Sequence, residues 1–154
     1  MERLYIGIDP GLTGGVAILE HDGAFMRVDN MPVINKQVDT QGLFELLMKF
    51  RGARVTIEHQ QPFGKEGVCS AFKAGMGYGG ILACLSALYY PVHVVRPPRW
   101  KQSFGLTKKD KEASREKAQQ LFPEADLSLR RDHNKAEALL IARYGLMWWN
   151  NGES

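Results

Sequence analysis

Three short apolar runs open this chain, joined by turns too tight to hold a crossover. The stretch 3-RLYIGID-9 alternates and is β-branched, 14-GGVAILE-20 follows a Gly-rich turn, and 25-FMRVDNM-31 follows 21-HDGA-24, an Asp-Gly hairpin signal. Strands joined so closely pair antiparallel, because a parallel partner needs a connection of about a dozen residues. Beyond them, Leu43, Phe44, Leu47 and Phe50 recur at helical spacing within residues 41–51, and 53-ARVTIEHQ-60 reads as a fourth strand. A helix is expected from about Ser70 to Tyr90, weakened by 75-GMGYGG-80. The run 92-VHVVR-96 reads as a fifth strand ended by Pro97 and Pro98. One more helix follows Thr107, whose hydroxyl and Asp110 resemble a capping box, and a last one runs from Asp132 to about Asn150. The order β-β-β-α-β-α-β-α-α predicts an α/β fold: a five-stranded mixed sheet, its three antiparallel strands first, flanked by helices. At 154 residues, the expectation is one domain over 1–154.

Bulk composition excludes some classes. Hydrophobic residues make up 44% and charged residues 24%, which argues against disorder. The apolar run 81-ILACLSALYYPVHVV-95 is interrupted by Pro91 and His93 and falls short of the roughly 20 residues of a membrane span, so no membrane partner is expected. The N-terminus lacks signal-peptide order, and Cys69 and Cys84 lack metal-type spacing, so reduced thiols in an intracellular protein are expected. Charge is uneven. Residues 96–117 hold eight Lys/Arg against three acids, a local +5 within a chain of net +3. Such a segment suits a polyanionic partner, although interspersed Asp110, Glu112 and Glu116 also fit a solvated helix face.

Three acids and a histidine stand out. Asp9 ends the first strand before 10-PGLTGG-15, where it reads either as a turn aspartate or as a carboxylate with open access to a ligand. Glu58 shares a strand face with Thr56 and Gln60, opposite Val55 and Ile57. That face is either solvated or the site of a bound cation, since a core strand seldom carries a lone acid. With Asp132 as N-cap, His133 becomes the first helical residue and Glu137 follows four later on the same face. Oxygen ligands without cysteine suit Mg²⁺ or Mn²⁺. A cation also relieves repulsion between clustered carboxylates, and two ions beside a basic segment suit phosphodiester hydrolysis.

With these residues in order, 6-IGIDPGLTGGVAIL-19, 55-VTIEHQ-60 and 132-DHNKAEALLIARYG-145 resemble the RuvC-type Holliday-junction resolvases, closest in style to the chloroplast and phage or prophage branch. The resemblance covers about residues 3–147. It implies a ribonuclease-H-like fold and a homodimer on four-way branched DNA. It also implies symmetric paired nicks, two Mg²⁺ or Mn²⁺ ions per site, and a role in DNA recombination and repair. It assigns Asp9, Glu58, His133 and Glu137 as catalytic metal ligands, with Asp132 as a lesser candidate. Two departures are plain: Glu137 stands where the family usually has Asp, and Asn134 where the bacterial branch has an acid or His.

The resemblance also assigns DNA contacts. Lys101 and Lys111 match lysines that touch phosphate near the scissile bond, with Lys108, Lys109 and Arg115 as neighbours. Phe63 stands where some members stack on a base, and Trp100 reads as either a base stacker or a core aromatic. Two other readings remain: a ribonuclease-H-like nuclease acting on RNA, such as ribosomal-RNA processing, and a non-catalytic junction-binding protein. An actin-like sugar kinase or chaperone ATPase is excluded, since 154 residues cannot supply its second lobe.

Overall fold

The computed structural model describes residues 2–152. Strands β1 (Tyr5–Asp9), β2 (Gly15–Leu19) and β3 (Phe25–Asn30) form the antiparallel meander that the short turns require. A small hairpin, β4 (Val33–Ile34) and β5 (Gln37–Val38), leads to α1 (Thr40–Met48), where Asp39 accepts a cap bond from the Gly42 amide at 3.0 Å. Then come β6 (Arg54–Glu58), α2 (Val68–Ala87), β7 (Val92–Val95), α3 (Pro97–Ser103), α4 (Lys111–Leu121), a 3-10 turn (Arg130–Asp132) and α5 (His133–Asn150). The main sheet runs β3-β2-β1-β6-β7, with β6 parallel to both β1 and β7.

Both faces of the sheet are covered. Ile6, Ile8, Val55 and Ile57 point towards α1 and α2, in a core with Leu43, Leu47, Ile81 and Leu85. Tyr5, Gly7 and Asp9 alternate to the other side, as do Arg54, Thr56 and Glu58. That side lies under α5. Thr56 is only 1% exposed, which decides the question left by the sequence: the Glu58 face is covered, not solvated.

Helix α5 lies unusually close to the strands. A Cβ on Gly7 would come within 2.2 Å of the Ala142 nitrogen and 2.3 Å of the Ala138 carbonyl oxygen. One turn further along, a Cβ on Gly145 would lie 2.1 Å from Thr56 Oγ1. Ala138 and Ala142, both fully buried, complete this flat contact. Two glycines thereby set the height of the helix over β1 and β6.

Some local expectations need correction. Pro97 and Pro98 do not merely end a strand; they open α3, where a missing N–H costs nothing. The cap of α4 is Asp110, which accepts from the Ala113 amide at 3.0 Å, not Thr107. Lys108 takes a positive φ of 58° and separates Thr107 from the helix. Helix α2 is continuous through its glycines. It also reaches 20 apolar-rich residues, long enough by length and composition to cross a membrane, which the run 81–95 did not suggest. Its Ile81, Cys84 and Leu85 are built into the sheet core, while Val68, Phe72 and Met76 are exposed.

Gly7→Ala should destabilise the protein by about 3 kcal/mol or more, since the clash is with backbone. Gly79→Ala, where a Cβ meets nothing within 4 Å, should stabilise it by about 0.5–1 kcal/mol. Urea unfolding of both variants measures the contrast; similar midpoints would reject the close contact.

Candidate active site

The register Ile8↔Ile57 puts Asp9 and Glu58 side by side at the carboxyl ends of two parallel strands, both on the α5 face. Glu137 enters from the second turn of α5, next to Ala138, whose Cβ lies 3.3 Å from where a Gly15 side chain would begin. The three carboxylates feel one another. Asp9 is pushed up to about 8, first by burial, then by the negative charges of Glu58 and Glu137, while the Gly11 amide and Lys111 pull the other way. Glu58 is raised by burial, opposed by a hydrogen bond from Trp100, raised again by Glu137 and lowered by Lys101.

Trp100 is fully buried, and its indole N–H donates to Glu58 Oε2 at 2.6 Å. It is a core aromatic bonded to the site, so the base-stacking alternative does not hold for it. Lys101 Nζ stands 5.4 Å from the Trp100 ring centroid. Lysines from α3 and from the start of α4 thus bring positive charge to Glu58 and Asp9.

The chain matches no family model. One curated relative, the crossover junction endodeoxyribonuclease RuvC of Chloroflexus aggregans, is 31% identical over 108 residues; the match covers 64% of this chain and 65% of that protein, just under two thirds of its length. Among solved structures, Thermus thermophilus RuvC superposes with a TM-score of 0.71 at 20% identity, over 97% of this chain and 96% of that one. The same protein in complex with a Holliday junction substrate matches equally well, at 19% identity and the same coverage. The chain has the RuvC fold. That is the ribonuclease-H-like architecture that the sequence resemblance implies.

Within this RuvC fold, the Asp132-His133-Asn134 trio splits between two sides of the start of α5. Asp132 is buried; its Oδ2 accepts from the Leu129 amide at 2.9 Å, and its Oδ1 pairs with Lys135 Nζ at 3.1 Å. It stands at the N-cap position, but its side chain reaches back to close the preceding 3-10 turn instead of capping α5. Asp132 and Asn134 line a hollow with Leu12, Thr13 and Gly14. His133 lines a different groove of about 550 Å³, with Lys111, Arg130 and Arg131, and its Nδ1 lies 3.0 Å from the Arg130 carbonyl oxygen.

The expected DNA contacts also separate. Lys108 and Lys109 are exposed on the turn before α4. Arg115 is otherwise engaged: its guanidinium bonds the Glu112 carboxylate and donates to the Leu127 carbonyl at 2.8 Å. Arg130 and Arg131, which the charge window ending at residue 117 left out, line the groove instead. Phe63 is 88% exposed, which excludes a core role. Among the described residues, the set of three His, Cys or acidic ligand atoms within 4.8 Å of one another is Glu20, His21 and Asp22 on the exposed β2–β3 turn. Asp9, Glu58 and Glu137 do not all lie within that distance of one another.

Asp9 supplies a pH test. Its carboxyl keeps a proton to about pH 8 when folded and to 3.8 ordinarily, so folding takes up a proton between those values. The associated stability is full below the lower value and is lost as pH rises to the upper one, at up to about 1.4 kcal/mol per pH unit. Asp9→Asn mimics the protonated form, so in EDTA its gain in Tm over wild type should grow from pH 5 to pH 8. A gain independent of pH would reject the shift.

Proposed function

We propose that this protein is a RuvC-type Holliday-junction resolvase: a divalent-metal-dependent endodeoxyribonuclease that nicks two opposed strands of a four-way junction symmetrically, inside the cell, in recombination and repair. The observation that carries this reading is the trio Asp9, Glu58 and Glu137, brought to one end of the sheet in a RuvC fold. The similar proteins, a crossover junction endodeoxyribonuclease and a RuvC bound to a Holliday junction, support the substrate.

The donor set fits a hard divalent cation. Glu58 and Glu137 raise the proton affinity of Asp9, and Glu137 that of Glu58; such a cluster is what Mg²⁺ or Mn²⁺ neutralises. Asp9, Glu58 and Glu137 would hold two ions, with His133 as the further ligand. Bound there, the ions would supply an activated water and stabilise the leaving oxygen. The chain's own residues do the rest. Lys101 and Lys111 place ammonium charge beside the carboxylates, where a phosphodiester would otherwise be repelled. Lys108, Lys109, Arg130 and Arg131 extend the positive track and position the backbone without reading sequence. Phe63 offers a free ring to an unpaired base at the crossover.

Paired nicks need two sites, hence two copies. Helix α2 offers the surface for a homodimer: Val68, Phe72 and Met76 project from it, and Gly75 has open space above it, which allows close helix approach.

A labelled mobile four-way junction with Mg²⁺ should give symmetric, ligatable nicks. Asp9→Asn, Glu58→Gln and Glu137→Gln should each slow cleavage by about a thousandfold, roughly 4 kcal/mol of barrier. His133→Ala should lose activity that Asp132→Asn retains. Equal cutting of linear duplex or RNA hairpins would replace the resolvase reading with a general or RNA-directed nuclease. Intact junctions that stay bound would leave a binding module.

Salt dependence separates the cations. Lys111→Ala should lower the slope of log binding constant against log salt by about 0.9, whereas Arg115→Ala should leave it unchanged. Filter binding over a salt series reads both. For the dimer, Phe72→Glu should halve the mass seen by sedimentation equilibrium; a wild-type monomer would remove α2 as an interface.

A further inference from the structure

The proposed site contains a group that the carboxylate pattern does not announce. Glu58 is a long side chain at the end of β6, with enough rotatable bonds to place its carboxylate in several ways. One contact restricts it. Trp100 comes from α3, whose start is fixed by Pro97 and Pro98 at its first positions. Its ring is fully buried, in a core with Val95, Leu106, Phe122, Leu139 and Leu140. An indole has one donor, and a ring locked by packing cannot aim it elsewhere. That donor lies 2.6 Å from Glu58 Oε2, and the bond occupies one carboxylate oxygen while leaving the other for a ligand.

Resting on the reading of Glu58 as a site residue, we propose that Trp100 is a positioning residue, whose indole N–H fixes the Glu58 carboxylate in the orientation that binds the divalent cation. A hydrogen bond from a neutral donor to a charged oxygen is short and strong in a desolvated site, and this one is short. Ligating carboxylates hold their geometry through such outer partners, whose loss commonly weakens metal binding by about 10–100-fold. Trp100 thereby links the core between the sheet, α3 and α5 to the site. A shift of the ring within that core would move Glu58 as well.

The clean test removes the donor and keeps the shape. Site-specific 3-benzothienylalanine at position 100 replaces the indole N–H by sulfur. Two readouts do not depend on cleavage. In the metal-free, ¹⁵N-labelled protein, the Trp100 indole proton should resonate downfield of those of Trp148 and Trp149, and Glu58→Gln should move it upfield. In Mn²⁺ titrations by calorimetry, the sulfur isostere should bind about tenfold or more weakly than wild type, with Tm and junction affinity in EDTA retained. Wild-type Mn²⁺ affinity in the isostere, together with a loss in Glu58→Gln, would overturn the positioning role and leave the resolvase reading standing. Mn²⁺ binding that ignores Glu58→Gln would overturn both.

Discussion

The contact between α5 and β1 at Gly7 sets the geometry on which everything else rests. With no Cβ there, helix and strand backbones meet directly, and Gly145 repeats the arrangement over Thr56. A helix lying at that height brings Glu137 down to the level of Asp9 and Glu58. A helix held a side chain's width farther away would leave three separate acids. The site is therefore a product of missing atoms in the core as much as of the charged groups at its rim.

Bringing three acids together costs free energy. Burial and mutual repulsion raise Asp9 and Glu58 together, and the fold offsets part of this with groups it supplies from elsewhere. Lys111 acts on Asp9; Trp100 and Lys101, neighbours on α3, act on Glu58. The compensation is partial, and the remaining excess of negative charge would suit a cation.

Much of this was legible in the sequence, for identifiable reasons. The meander followed from turn length, and strand alternation placed Val55 and Ile57 opposite Glu58. Whether the Glu58 face was covered could not be read locally, because its cover is α5, some ninety residues away. The β4–β5 hairpin escaped notice because its strands hold two residues each and its turn puts Lys36, not glycine, at a φ of 58°. Asp132 looked like a cap because it occupies that position; only the fold shows its side chain turning back to Leu129. Arg115 looked available until Glu112 and the Leu127 carbonyl were seen to engage it. The partner of Trp100 lies 42 residues upstream, beyond any periodicity.

The place of the carboxylates along the chain has a consequence for its synthesis. Asp9 and Glu58 leave the ribosome before Glu137, and the meander can form around the first of them from local pairings alone. Glu137 arrives later, with α5, and the two glycine-lined contacts close only when that helix docks. A nascent chain carrying β1 and β6 thus holds two of the three acids without the third. The trio is therefore complete only once α5 has docked on the sheet.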